Sequence, residues 1–152
     1  MRPMGSRHRG PADEVRALDA FVKLSRAADS VMERAHGHLA AEGLTPTQFG
    51  VLEALLHLGP LCQRDLGRKL LKTGGNVTFV VVNLEKRGLL RRERDAANRK
   101  FMTVSLTPAG RRLIRRVFPR HVAAVVRVMS PLSATEQEAL GRLLRTVGRD
   151  GG

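Results

Sequence analysis

Tryptophan and tyrosine are absent from this chain, phenylalanine occurs five times and cysteine once. Without aromatic platforms, stacking on unpaired bases is excluded as the main way of holding a nucleic acid. A single cysteine excludes an internal disulfide and a four-cysteine zinc site. No apolar run approaches the eighteen or so residues that a membrane span needs, so no membrane partner is expected. The first residues, MRPMGSRHRGP, are basic but lead into no apolar stretch, unlike a secretory signal. No G-x-x-x-x-G-K loop, paired-carboxylate context or Ser-His-Asp order is present, and no enzyme and no cofactor are expected. Acidic side chains are also scarce, 14 against 27 lysines and arginines, for a net charge of +13.

That charge is unevenly spread. Residues 12–58 carry more acidic than basic side chains, whereas residues 59–107 carry eleven basic and four acidic ones. A basic block of this kind suits counterion release from DNA phosphates. Solvated arginine faces give the same composition, and the basic excess after residue 107 fits that reading equally well. At 152 residues the chain is one domain by length, with enough material for a core.

A mobile basic tail is expected over residues 1–11, then a long amphipathic helix from Ala12 to about Glu42. Leu18, Phe21, Val22, Ala28, Val31, Met32, Ala35 and Leu39 keep a helical stripe through it. Thr45, Pro46 and Gln48 form a capping signature for the next helix, with Leu44 and Phe49 spaced as a hydrophobic staple. Gly59-Pro60 ends it. A short helix follows, roughly Gln63 to Leu71, in which Leu66 and Leu70 are apolar and Arg64, Arg68 and Lys69 have no place in a core. Thr107-Pro108 opens a helix towards Met129, with Pro119 inside it where a kink is expected. Ser133 and Glu136 form a second capping box for a last helix reaching about Val147.

The stretch between these helices is the most informative. Val77, Val80, Val81 and Leu84 fall at i, i+3, i+4 and i+7 on one face of a helix. The other face carries Asn76, Thr78, Phe79, Asn83 and Lys86. Gly88 stands where a helix ends in the left-handed conformation. The period then changes to two, with strands expected at Leu90–Arg94 and Phe101–Leu106 around a polar tip, Asp95-Ala96-Ala97-Asn98. A helix with a polar outer face followed by a basic hairpin points to a winged helix-turn-helix, one element for each groove of double-stranded DNA. The fold class expected is therefore mainly α with a small β-hairpin wing.

From spacing, Thr73, Asn76, Thr78 and Phe79 occupy the exposed early turns of that helix. Asn76 suits the N6 and N7 edge of adenine, and Phe79 or the Thr78 methyl suits a thymine methyl. Arg64, Arg68 and Lys72 suit phosphates. Gly74-Gly75 makes either a tight connection or a close backbone approach to phosphate at Gly75, and both can hold.

GGNVTFVVVNLEKRGLL followed by RERDAANRKFMTVSLTPAG resembles the recognition helix and wing of the MarR family of bacterial transcription regulators. LTPTQFGVLEALLHLGPLCQRDLGRKL resembles the two helices that precede them. The resemblance covers roughly Thr45 to Gly110. It implies a reading head at 45–107 and dimerisation helices at 12–44 and 108–148, all within one domain over 12–152. It also implies a cytoplasmic homodimer on a pseudo-palindromic operator, acting as a repressor and answering a small-molecule effector. Two amphipathic terminal helices, more than a small head needs, agree with that homodimer. In the family the wing carries a D-x-R motif whose arginine enters the minor groove. Here the aligned positions are Asn98 and Lys100, with Arg99 between them, and lysine lacks the planar fork. Val82 is a second departure, standing where many relatives have an acidic residue, so the usual salt links bracing the wing are in doubt. A weakly specific architectural DNA-binding protein is the alternative from another class.

The resemblance puts an effector pocket between the dimer helices and the head, for which His36, Leu39, Phe49, Leu52 and His121 are the candidate lining residues. His36 and His38, two apart on a helix, point to different faces and make no metal pair. His57 and His121 lie beside apolar stripes, where packed or capped histidines are the ordinary reading. Cys62 lies near the start of the short helix. It is either a small packed hydrophobe, the preferred reading, or a candidate redox sensor whose thiolate the helix start and Arg64 would stabilise.

Overall fold

The computed structural model describes residues 5–70 and 76–150. Lys72, Thr73 and Gly75 of the expected DNA face lie outside the described residues. In chain order the elements are α1 (Ala12–His36), a 3-10 turn (Ala40–Glu42), α2 (Pro46–Leu58), β1 (Leu61–Cys62), α3 (Gln63–Leu70) and α4 (Val77–Lys86). They continue as β2 (Leu90–Arg94), β3 (Met102–Leu106), α5 (Pro108–Met129), α6 (Ala134–Val147) and a closing 3-10 turn (Gly148–Asp150). The chain divides into two compact units, one holding the chain up to Gly37 and from Ala124 onward, the other His38–Ala123. The fold is mainly helical, with a small antiparallel sheet of strand order β1-β3-β2.

The unit His38–Ala123 holds the core. Leu39, Leu52, Leu55, Leu66, Val81, Leu84, Val104, Ile114 and Val117 are all fully buried there. Helix α2 starts as its sequence dictates: Thr45 Oγ1 accepts from the Gln48 N–H at 3.1 Å and Gln48 Oε1 accepts from the Thr45 N–H at 2.9 Å. Gln48 has a second task, since its Nε2 donates to Asn83 Oδ1 of α4 at 3.2 Å. Asn83 is thus half-buried towards α2, not on the outer face where helical spacing alone had it.

The end of α4 is closed by Gly88 at φ +73°. The Gly88 N–H reaches the Glu85 carbonyl at 2.9 Å and the Leu89 N–H the Leu84 carbonyl at 3.0 Å, the paired bonds of a Schellman turn. Thr107 returns to this point after the hairpin. Its N–H bonds the Leu89 carbonyl at 3.1 Å, and its hydroxyl donates to the Gly88 carbonyl at 2.6 Å while accepting from the Gly110 N–H at 3.1 Å. The start of α5 is therefore pinned to the end of α4, and Gly110 is buried against Leu89.

Two expectations change. The first helix stops at His36, and Leu39 lies beyond it. Gly37 is the poorest helix former in the stretch, and past it Leu39 turns into the core of the second unit. The sheet gains β1, where Leu61 pairs with Val104 and Cys62 with Thr103, while Phe101 stays outside β3. Two residues carry no readable period, so β1 has no local signature. Helix α5 spans Pro108 to Met129 with Pro119 inside it.

The wing is braced by a bond that sequence spacing does not reveal. Glu85 on α4 accepts from the Arg92 N–H at 3.1 Å, and from Arg92 Nε and Nη2 at 3.3 and 3.2 Å. The family's acidic residue is missing at Val82, yet Glu85 ties α4 to β2. The bond to Arg92 holds the Glu85 carboxyl below the ordinary glutamate value. Elsewhere in the head, Glu42 is clasped by Arg116 at 2.8 Å and Arg120 at 2.9 Å, which fastens the 3-10 turn to α5.

Two outcomes follow from this packing. A Cβ at Gly110 would collide with the Leu89 backbone, so Gly110→Ala should cost more than about 2 kcal/mol in urea unfolding, the range of overpacked core sites. A stability change within 0.5 kcal/mol or so would show that the junction yields. Glu85 ionises more readily folded than unfolded, so its contribution is present above the ordinary carboxyl range and fades as pH falls through its lowered value. Since 35% of its side chain is exposed, Glu85→Gln should lose less than about 1 kcal/mol at neutral pH. The two proteins should converge in stability on acidification; a gap that is constant with pH would dismiss the brace as an electrostatic one.

Candidate nucleic-acid interface

Three elements meet at one surface of the unit His38–Ala123. Cys62 of β1, Gln63, Arg64, Gly67 and Arg68 of α3, the first residues of α4 and Lys100, Phe101 and Met102 of the wing line one cleft of about 560 Å³. Arg64, Arg68, Asn76, Thr78 and Lys100 of the expected DNA face are thereby brought together. Arg64, Arg68, Thr78, Arg99 and Lys100 are exposed, and Phe79 is 71% exposed. An exposed phenylalanine on the outer face of a helix cannot be explained by the core of its own unit.

The wing tip owes its shape to two side chains. Asp95 Oδ1 accepts from the N–H groups of Ala97 at 2.7 Å and Asn98 at 3.2 Å, and Asn98 Oδ1 accepts from the Lys100 N–H at 3.2 Å. These side-chain-to-backbone bonds make a turn without any glycine. Arg94 Nη1 donates to the Arg99 carbonyl at 2.8 Å. Asn98, at the aligned aspartate position, is thus a turn former, and Arg99 and Lys100 are the cations that the tip displays.

Asn76 is not on the helix proper. It is the N-cap of α4, its Oδ1 accepting from the Phe79 N–H at 3.4 Å. Pairing with both N6 and N7 of adenine needs Oδ1 as well as Nδ2, and Oδ1 has a second lone pair beside the one that caps the helix. The cap bond is long and the helix start is where such residues are favoured, which is why spacing alone assigned it to the helix face. Thr78 and Phe79 follow within the first turn of α4.

The effector residues are scattered differently. Leu39 and Leu52 are 1% and 0% exposed and pack in the core of the unit His38–Ala123. Phe49, also buried, stacks at 4.5 Å between ring centroids on His121. His38 Nε2 stands 3.4 Å from His121 Nδ1, and Phe118 lies near both His57 and His121. His36, the last residue of α1, belongs to the other unit. His38 was missed because helix spacing made it the neighbour of His36, when it follows the helix end. His57 is exposed and bonded to Glu53 of its own helix, Nδ1 to the carbonyl at 3.0 Å. Cys62 is half-buried on the edge of the cleft, paired with Thr103 in the sheet and immediately before the first residue of α3.

The other unit presents a different surface. Phe21, Met32, Leu143 and Val147 of α1 and α6 are each more than half exposed. With Leu24, Val31, Met129 and Leu140 they line an apolar cleft of about 740 Å³. Among the described residues, no helix is long and apolar enough to cross a membrane.

Known proteins agree with this geometry. The MarR family model matches residues 42–100. The HTH-type transcriptional regulator MhqR of Bacillus subtilis (strain 168) is 35% identical over 133 residues, which is 88% of this chain and 92% of MhqR. Among solved structures, Bordetella bronchiseptica BpsR, whose DNA binding is regulated by 6-hydroxynicotinic acid, is 28% identical with a TM-score of 0.73, over 85% of this chain and 98% of that one. AbsC, a MarR family transcriptional regulator from Streptomyces coelicolor, is 21% identical with a TM-score of 0.81, over 93% of this chain and 97% of that one, and shares the fold. Winged head, basic cleft and kinship together make this chain a member of the MarR family, a DNA-binding transcriptional regulator.

Proposed function

We propose that this regulator is a cytoplasmic homodimeric repressor that binds a pseudo-palindromic operator and leaves it when a small effector binds. The observation that carries the proposal is the single cleft shared by Arg64 and Arg68, the first turn of α4 and Lys100. In this reading α4 enters the major groove with Thr78 and Phe79 foremost and Asn76 at its start. The α3 arginines and Lys72 grip phosphates, with Thr73 and Gly75 beside them, and Arg99 and Lys100 follow the backbone or the minor groove. A two-fold dimer would set its two recognition helices about 34 Å apart, one helical turn of DNA. The exposed apolar face of α1 and α6 supports that dimer, since a lone chain would leave it in water. Residues 12–44 and 108–148 would then hold the subunits together and 45–107 would read the DNA, all as one domain, with residues 1–11 as a mobile basic tail.

For the effector, regulation of BpsR by a small aromatic acid supports a ligand-responsive reading. The ring group of His38, Phe49, Phe118 and His121 is the region of the head that we assign to it. Cys62 remains a second route to release, because a bulky or charged adduct there would stand beside Arg64 and Arg68. The net charge of +13 favours, as a rival reading, a weakly specific architectural protein.

Binding to selected and random duplexes over a salt series separates the two. The repressor reading expects a specific site at least about a thousandfold tighter than random DNA, whereas an architectural protein gives nearly equal affinities. Replacing Arg99 and Lys100 with alanine should shallow the slope of log K against log salt by about 2 per subunit. No change at any salt would remove the wing from the interface. Deleting residues 133–152 should abolish the dimer by light scattering and most operator affinity by gel shift, and a truncated chain that stays monodisperse and binds normally would count against the dimer reading. If Cys62 is a sensor, a quinone or peroxide releases DNA from the wild type and not from Cys62→Ser. Equal behaviour of the two proteins returns it to packing.

A further inference from the structure

Gln63, the first residue of α3, has an arrangement that packing does not explain. Its Nε2 donates to Thr78 Oγ1 on α4 at 3.0 Å. Its Oε1 is covered, with no hydrogen-bond partner among the described residues. A covered acceptor left unpaired destabilises the free protein, so an amide is a poor choice for a site that only needs filling. Both side chains lie on the cleft that also carries Arg64, Arg68 and Lys100.

A threonine hydroxyl has one proton to donate and two lone pairs. Gln63 occupies a lone pair, so the Thr78 proton is left to point elsewhere, and accepting a bond makes that hydroxyl a better donor. The bond also fixes the rotation of a side chain that is already stiff at χ1. Thr78 is therefore an exposed, strengthened donor that keeps one lone pair, with its methyl held in one place. Had Gln63 been a carboxylate, which only accepts, the Thr78 proton would have been used inside the protein.

We infer that Gln63 is a specificity-determining positioning residue, which acts through Thr78 to make one operator position favour a hydrogen-bond acceptor in the major groove. Guanine presents N7 and O6 there, adenine N7 and thymine O4 together with its methyl group. Cytosine offers only the N4 donor at that edge. The base read by Thr78 is thus preferably one with an acceptor; cytosine can use only the remaining lone pair of the hydroxyl and not its strengthened proton, and thymine gains further from the threonine methyl. This rests on the reading that α4 enters the major groove.

The test uses the full-length protein and a duplex selected by the wild type from a randomised pool, then every single-base change in one half-site. Thr78→Val, which keeps the shape and removes the hydroxyl, should erase the penalty against cytosine at one position, a change of roughly fivefold. Gln63→Met, of similar volume and without a donor, should relax the same position and no other. Binding to random duplex and the melting temperature should stay near wild type for Gln63→Met. The double variant should lose no more than Thr78→Val alone, as residues acting through one contact do. If Gln63→Met fails to fold, Gln63→Ala replaces it. Additive losses, or an unchanged profile in the folded Gln63 variant, would overturn the assignment. Phe79→Ala distinguishes the two levels. If it lowers the specific affinity and the Gln63 variant does not, only the role of Gln63 is lost. If Phe79→Ala and Thr78→Val both leave the specific-to-random ratio intact, α4 does not read bases and the inference falls with that reading.

Discussion

The reading head depends on one junction, where the end of α4 and the start of α5 are tied at Gly88 and Leu89. The Leu89 carbonyl accepts the Thr107 N–H, the Thr107 hydroxyl donates to the Gly88 carbonyl, and Gly110 fits there only because it has no side chain. Everything between residues 89 and 107 is the wing, so this knot sets where the hairpin leaves the helix and where it returns. Leu90 opposite Leu106 continues the register from the knot, and the pairs run out to Arg94 opposite Met102. A single misplaced contact here would shift the wing relative to the helix it flanks.

Two polar bonds then orient the elements that face DNA. Glu85–Arg92 joins α4 to β2, and Gln63–Thr78 joins α3 to α4. Each crosses between elements whose apolar faces already meet in the core around Leu66, Val81, Leu84 and Val104. Apolar burial is non-directional and brings the elements together; the hydrogen bonds select one angle among those that burial permits. The basic residues need no such precision. Charges act over about a Debye length of 10 Å or less, so in the function proposed above Arg64, Arg68, Arg99 and Lys100 would serve from exposed side chains. Grip and reading thus make different demands on the fold. The first is met by composition and the second by geometry.

The two units differ in how complete they are. His38–Ala123 buries its own large side chains, whereas α1 and α6 leave Phe21, Met32, Leu143 and Val147 largely in water. Such a surface on helices with capped ends, as at Ser133 and Glu136, is what the dimer proposed above would cover.

The sequence by itself determined the helices, their caps, the left-handed end at Gly88, the basic hairpin and the family. Each of these is local: a period of 3.6 or 2, a threonine three residues before a glutamine, a glycine after Lys86-Arg87. Such signals operate between residues a turn apart, so they are present in the order of letters. Tertiary structure decided what spacing cannot encode. It made Asn76 a cap, turned Asn83 inward to Gln48, set His38 against His121 and gave two residues of β1 a partner in β3. It also supplied in Glu85 the brace that Val82 lacks. These pairings join residues from three to eighty-three positions apart, and the longer ones exist only after burial has folded the chain back on itself. A hydrogen bond is decided within a few tenths of an ångström, and hydrophobic pattern alone does not fix distance that finely.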